Sequence, residues 1–238
     1  MEDIYKQKSA VILNFSNNLN LTSSSRILSS KISSNFRIFN SKVINVKEKN
    51  IISCLSCKNC FLGYKCYLDN LDDMVKIKKI MTESDLIFFI TPVYGMNISS
   101  IMSKVIERIS YWLHDFRLAG KQVVLIVITD RNSGKYVLNY LEFISNSLGL
   151  QTIAKMSIKS HQVNNNDFLQ RAIKILEEKI RIHYSNSTSY TNKEMEFLFS
   201  IGKNDITNID TERKKEMFKY DTLNDYILNE RRKKDEKI

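Results

Sequence analysis

All four cysteines of this 238-residue chain, Cys54, Cys57, Cys60 and Cys66, fall within thirteen residues in the spacing C-x2-C-x2-C-x5-C. Thiolates so close on one loop can converge on a single centre, and soft sulfur ligands select zinc or an iron-sulfur cluster over hard cations. A compact run fits a [4Fe-4S] cluster better than a zinc ribbon, whose ligands come as two separated C-x2-C pairs. Zinc and unmetallated thiols stand as the alternatives. Gly63 allows the loop to turn between Cys60 and Cys66.

Three other stretches carry polar chemistry at the ends of apolar runs. The first, Asn14–Ser25, reads NFSNNLNLTSSS and enters a helix. Its hydroxyls and the free N–H groups of that helix could hold a phosphate, and capping by Ser23–Ser25 is the plainer alternative. It contains neither G-x-G-x-x-G nor a Walker sequence, so it is not the usual dinucleotide or ATP loop. The second, Thr91–Ser100, reads TPVYGMNISS. Backbone amides beside Tyr94 suit a flat heterocycle; the alternative puts Tyr94 in the core and Asn97 or Ser99 at a helix cap. The third places Thr129, Asp130, Arg131, Asn132 and Ser133 before Gly134. Arg131 could stabilise negative charge on a reduced cofactor, or pair with Asp130 at the surface. Nucleophilic hydrolysis finds little support, because His114, His161 and His183 lie apart and no G-x-S-x-G elbow is present. Asp72 and Asp73 read as charges at a helix start.

The elements that must position these groups alternate. Ala10–Leu13, a stretch within Arg37–Val46, Leu86–Ile90, Gln122–Thr129 and Gln151–Ile158 read as strands. Helical spacing follows each in turn: at Ile27, Leu28 and Ile32; at Met74–Met81; at Ile101–Leu113; at Val137–Leu148, capped by Gly149; and at Phe168–Tyr184. Five strands alternating with five helices make an α/β, doubly wound parallel sheet. Continuous apolar strands such as LIFFI and VVLIVI agree, since strands of such sheets are buried on both faces. Residues 1–186 thus form one domain with the cysteine loop at 54–66. Residues 187–238 form a polar helical extension, with helices near Glu194–Ile201 and Glu212–Asn229, that suits an oligomer contact.

Composition narrows the classes further. The chain carries 36 Lys and Arg against 26 Asp and Glu, a net charge of +10. The surplus is spread thinly along the sequence. The locally dense run Arg231–Lys234 meets Asp235 and Glu236 at once, as a solvated helix end does. No nucleic-acid partner is expected. The opening MEDIYKQKSAVILNF has neither a signal peptide's nor a membrane span's pattern, so a cytoplasmic protein without a membrane is expected, where thiols stay reduced.

The order of strand, Ser-rich loop, helix, strand, C-x2-C-x2-C-x5-C, D-D-M helix, LIFFITPVYGMNISS and GKQVVLIVIT resembles the iron-sulfur flavoprotein branch of the NADPH-dependent FMN reductase superfamily. The likeness spans roughly residues 9–160 and is most specific from Cys54 to Ser100. It implies a flavodoxin-like sheet of order 2-1-3-4-5, FMN as cofactor, and a [4Fe-4S] cluster on Cys54, Cys57, Cys60 and Cys66. By position, Ser16, Thr22, Ser23 and Ser24 would meet the FMN phosphate. Pro92, Val93, Tyr94, Gly95, Met96 and Asn97 would line the flavin ring, and Thr129, Asp130, Arg131 and Gly134 would close the site. The sequence departs from the family pattern at Asn14-Phe15-Ser16-Asn17, which lacks glycine, proline and arginine, and in the loop after the fourth strand, where Gly134 is the remaining glycine.

The resulting expectation is a redox flavoprotein passing electrons between FMN and a [4Fe-4S] cluster, with NAD(P)H or a ferredoxin-like protein as donor. It would be a homodimer or homotetramer. A cluster-free NAD(P)H-dependent FMN or quinone oxidoreductase is the first alternative, and a zinc-stapled binding module the second.

Overall fold

The computed structural model describes residues 8–36, 39–131, 133–186, 189–204 and 212–235. Asn132, the charged start of the chain, Arg37 at the start of the second expected strand, residues 187–188 at the expected domain boundary, and Glu236 lie outside these.

Five parallel strands, β1 (Ser9–Asn14), β2 (Asn40–Asn45), β3 (Leu86–Pro92), β4 (Lys121–Ile128) and β5 (Leu150–Ile158), form one sheet in the order β2-β1-β3-β4-β5. The three central strands have almost no polar residue because both of their faces are covered; β1, β3 and β4 are buried nearly throughout. The edge strands differ. NSKVIN in β2 and LQTIAKMSI in β5 alternate, with one face partly open to solvent.

Helices α1 (Ser24–Asn35) and α5 (Asn166–Asn186) cover one face, where Leu28, Ile32, Phe88, Ile126 and Ile173 pack together. Helices α2 (Met74–Glu83), α3 (Ser100–Arg108) and α4 (Gly134–Ser147) cover the other, around Leu13, Met74, Phe89, Met102 and Leu141. The expected helix over Ile101–Leu113 ends at Arg108, and Ser110–His114 continues as a 3-10 turn that buries Trp112. The chain runs from β1 outward to β2 and then crosses to β3. The winding therefore reverses between β1 and β3, and the crevice of such sheets lies above that point, at the carboxyl ends of the strands.

The C-terminal segment contributes α6 (Lys193–Asn204), α7 (Glu212–Met217) and α8 (Leu223–Asp235). The helix expected over Glu212–Asn229 is split, and the Thr222 hydroxyl accepts the Asp225 N–H at 3.0 Å to start the second piece. These helices bury Met195, Phe199, Met217, Leu223 and Ile227 against Phe116 of the same chain. Arg213 donates to the Asp115 and Phe116 carbonyls, and Arg231 to the Gly120 carbonyl at 2.8 Å. Among the described residues no helix is long and apolar enough to cross a membrane.

Gly149 joins α4 to β5 with φ +83, and a Cβ there would lie 2.7 Å from the backbone nitrogen of Ala119. The left-handed backbone alone costs a side chain about 1–2 kcal/mol, and the contact with rigid backbone adds to it. Gly149→Ala should therefore lower the unfolding free energy by at least that amount in urea titration; an unchanged midpoint would show that the loop moves away freely.

Candidate functional site

Three loops meet above the β1–β3 reversal. After β1, the Asn14 side chain bonds the Ser16 N–H at 3.1 Å and Asn45 of β2 at 3.0 Å. A run of short turns follows, Ser16 Oγ accepting from the Asn18 N–H, Asn18 from Asn20 and Asn20 from Thr22. Ser16 is buried and its hydroxyl oxygen accepts within this turn; Thr22 is exposed. The turns deliver the chain to Ser23, the N-cap residue of α1, which makes no capping hydrogen bond. Its Oγ is buried without a partner. Capping by Ser23 is thus not realised. The first N–H groups of α1 and the Ser23 hydroxyl remain as donors beside Ser24, whose own hydroxyl reaches the Ser160 carbonyl at 3.5 Å. This is a fit for a phosphate: a dipole end, uncommitted amides and an unsatisfied hydroxyl in one place.

After β3, Tyr94 and Asn97 exchange both backbone hydrogen bonds, at 3.0 and 2.9 Å, across Gly95 and Met96. Both central residues have positive φ, +54° and +63°, as the tightest two-residue turn demands. The turn carries Tyr94 and Met96 outward, so Tyr94 is outside the core. Pro92 and Val93 are half-buried below it. Ser99 caps α3 by accepting the Met102 N–H, and its hydroxyl donates to the Phe15 carbonyl at 2.6 Å. Asn17 donates to Ser100 at 2.9 Å, so the loops after β1 and β3 are tied to each other.

After β4, buried Thr129 bonds the backbone of Arg131 at both its N–H and its carbonyl, closing a tight turn. Asp130 accepts the Ser160 N–H at 3.2 Å, while Arg131 is exposed. Gly134 is buried, and a Cβ there would meet Ser157 Oγ at 2.3 Å. Its lack of a side chain serves the packing of α4 on β5.

The cysteine loop leaves the same edge after β2. Instead of staying there, it descends along α3. Phe61 packs edge-on against His114 at 5.3 Å, and Cys60 lines a small cleft with Tyr111 and His114, beyond the far end of that helix. The nine residues of α3 span about 13.5 Å, with Asn17 bound at the first of them and Cys60 in the cleft past the last. None of the cysteines forms a disulfide; Cys57 is exposed and the others half-buried. Ser56 and Lys58 sit in left-handed backbone, and the Ser56 N–H points to Cys54 Sγ at 3.4 Å. Burial pushes the Cys60 thiol up first, and Cys66, Cys54 and Cys57 each push it further, so the four sulfurs share one electrostatic neighbourhood. Among the described residues no three His, Cys, Asp or Glu side chains are gathered as metal ligands. The donor set fits a thiophilic centre in its chemistry, and its sulfurs are not drawn onto one point.

Both ends of this loop are held by a charge cluster that the sequence reading missed. Arg108, with its side chain 1% exposed, donates to the Ile52 carbonyl at 2.8 Å, to Asp69 at 2.7 Å and to both oxygens of fully buried Asp72. Asp72 also accepts the N–H groups of Ile52 and Met74, each at 2.9 Å. Asp73 accepts the Asn50 N–H, and Lys78 closes the group with two bonds to Asp69. Asp72 and Asp73 do stand at a helix start, and they also staple the stem of the loop. A signal was present: Arg108 falls on the apolar face of α3 with Ile101 and Val105, where a lone charge needs a buried partner.

Burial alone would raise the Asp72 carboxyl, but the hydrogen bonds from Arg108, Ile52 and Met74 outweigh it and hold it low. A carboxyl that titrates lower folded than unfolded adds stability above the unfolded value and loses it as the pH falls through the folded one. Arg108→Ala should cost about 3–5 kcal/mol, because it leaves the buried Asp72 carboxylate without its counter-charge, and should expose residues 50–73 to protease. Asp72→Asn should flatten the decline in stability below the ordinary aspartate range. Wild-type acid sensitivity in that variant would remove Asp72 from the account.

A profile of NADPH-dependent FMN reductase matches residues 11–165. Among curated proteins, an iron-sulfur flavoprotein of Archaeoglobus fulgidus is 30% identical over 90 residues, 38% of this chain and 40% of that one. An iron-sulfur flavoprotein of Clostridioides difficile is 26% identical over 117 residues, 49% and 51% of the two chains. The chain thus spans about half the length of these relatives. Among solved structures, RosB with bound 8-demethyl-8-formylriboflavin-5'-phosphate superposes with a TM-score of 0.58 at 13% identity, over 75% of this chain and 81% of that one. An FMN-dependent NADH-azoreductase of Bacillus anthracis in complex with FMN gives 0.54 at 14% identity, over 74% and 99%. At such identities the structures speak for the shared fold. The family match runs from the first strand past the fifth, across the sheet and loops described above, and on that ground the chain belongs to the NADPH-dependent FMN reductase family.

Proposed function

We propose that this chain is an FMN-dependent oxidoreductase that draws electrons from a nicotinamide and passes them to a [4Fe-4S] cluster on Cys54, Cys57, Cys60 and Cys66. The observation that carries the flavin half is the uncapped N-terminus of α1 with its unpartnered Ser23 hydroxyl, at the reversal of the sheet. Ser23, Ser24 and the first amides of α1 hold the phosphate, and Thr22 stands at its rim. The Tyr94–Asn97 turn presents its backbone and the Tyr94 and Met96 side chains to one side of the ring, with Pro92 and Val93 beneath. Thr129 fixes the turn that brings Asp130 and Arg131 to the other side, where the Arg131 cation favours added negative charge. When bound, FMN exchanges two electrons with a nicotinamide and single electrons with a cluster.

The four-thiol loop supports the second half, together with the two curated relatives that carry the iron-sulfur name. The separation of Cys60 from the flavin loops by the length of α3 favours a second reading, a cluster-free oxidoreductase in which the loop is structural.

An ultraviolet-visible spectrum of anaerobically purified protein, with iron, sulfide, zinc and FMN assayed together, separates these readings. Four irons and four sulfides for each FMN, one set per chain, are expected for a [4Fe-4S] cluster, and Cys54→Ser should lose the iron and keep the FMN. Flavin without iron would move the assignment to the cluster-free enzyme, and zinc without flavin would end both. Ser24→Asp tests the phosphate site. It should weaken FMN binding by roughly tenfold or more, about 1.4 kcal/mol, with no loss of apoprotein stability, since an acid in the first turn favours a helix. Unchanged affinity would put the phosphate elsewhere.

A further inference from the structure

At the opposite edge of the sheet, where β4 begins, the C-terminal helices leave a cavity of about 590 Å³ against the core. Five cationic side chains line it: Arg117 and Lys121 from the core, and Arg213, Arg231 and Arg232 from the C-terminal helices. Two acids, Asp85 and Glu230, oppose them. Asp85 already receives the Ser9 N–H at 2.9 Å and the Ser9 hydroxyl at 3.1 Å, and Glu230 pairs with Lys233 at 2.9 Å, so their charge is partly spent elsewhere. Arg117 is engaged in the same way, its Nε donating to Asp115 at 2.8 Å, and Lys121, Arg213, Arg231 and Arg232 still outnumber the two acids, so the lining carries net positive charge.

Two of the guanidinium groups are fixed before any ligand arrives. Arg231 lies over the Tyr190 ring at 3.9 Å while one of its N–H groups holds the Gly120 carbonyl. Arg213 lies over Tyr226 at 5.6 Å with two N–H groups on the Asp115 and Phe116 carbonyls. An arginine has five N–H donors, so each retains several in a set plane. Fixed guanidinium forks are the groups that recognise phosphate with two parallel bonds. Ala119, Ile227 and Leu228 add an apolar wall, and the volume lies within the range of small-molecule sites.

We propose that this cavity binds a phosphorylated organic anion of nucleotide size, its phosphates against Arg213, Arg231 and Arg232 and its carbon body against Ala119, Ile227 and Leu228. The site is separate from the flavin loops, which lie at the carboxyl ends of the strands. Because Ala119 and Lys121 of the core line the same cavity as the C-terminal arginines, the bound anion also bridges those helices to the sheet.

The test is calorimetric titration of the full chain, carrying one FMN per chain with free FMN removed, using ADP as the probe and adenosine as the control. Saturable ADP binding that weakens with added salt is expected, with no comparable binding of adenosine. Arg231→Gln combined with Arg232→Gln should weaken ADP by about tenfold or more, as the loss of charge-assisted bonds requires. Glu230→Gln should tighten it by about threefold, a gain that misfolding cannot imitate. Absence of saturable binding at millimolar ADP, equal binding of adenosine, or an affinity that neither variant moves would overturn the proposal.

Discussion

A single buried guanidinium holds the distinctive part of this molecule in place. The segment between β2 and α2 has little regular structure of its own, and Arg108 reaches from α3 to both of its ends, taking the Ile52 carbonyl on one side and Asp69 and Asp72 on the other. Taking such charges out of water is costly, and the cost is met because almost every lone pair and proton in the group finds a partner. Where the four thiols lie depends on that closure, as does the start of α2.

The sheet divides the rest of the chemistry by its two edges. Parallel strands bring all their carboxyl ends to one side, so polar loops following apolar strands gather there without any further instruction. The hydrogen bonds from Asn17 to Ser100, Ser99 to Phe15 and Ser160 to Asp130 then tie those loops into one rim. At the amino ends the strands begin from a seam covered by the C-terminal helices, whose apolar contacts with Phe116 set arginines over tyrosines. Flavin-type chemistry on one edge and an arginine-lined cavity on the other follow from one topology.

Much of this was legible in the sequence, and unevenly so. Central strands announce themselves because burial on both faces permits only apolar residues, as in LIFFI and VVLIVI. Helix ends are harder. The apolar face of Ile101–Leu113 continues past Arg108, but the chain there tightens into a 3-10 turn to bury Trp112, and residue type does not distinguish the two. Ser23 read more readily as a cap than as a phosphate ligand, and only the geometry leaves its hydroxyl without a partner. The descent of the cysteine loop toward His114 is a tertiary choice made by Phe61 and by the charge cluster, and no local spacing encodes it.

The stem of the cysteine loop joins its own two ends before it joins anything else: Asn50 pairs with Asp73 through backbone and side chain, and Ile52 pairs with Asp72. A loop closed at its base transmits little of what happens at its tip. Doubling the length of such a loop costs only about 0.6 kcal/mol in closure entropy, so residues between Cys54 and Cys66 can be added, removed or replaced while the strands beneath keep their register. The segment is in effect a cassette, and a lineage can gain, lose or retune a sulfur centre without redesigning the flavin-binding scaffold that carries it.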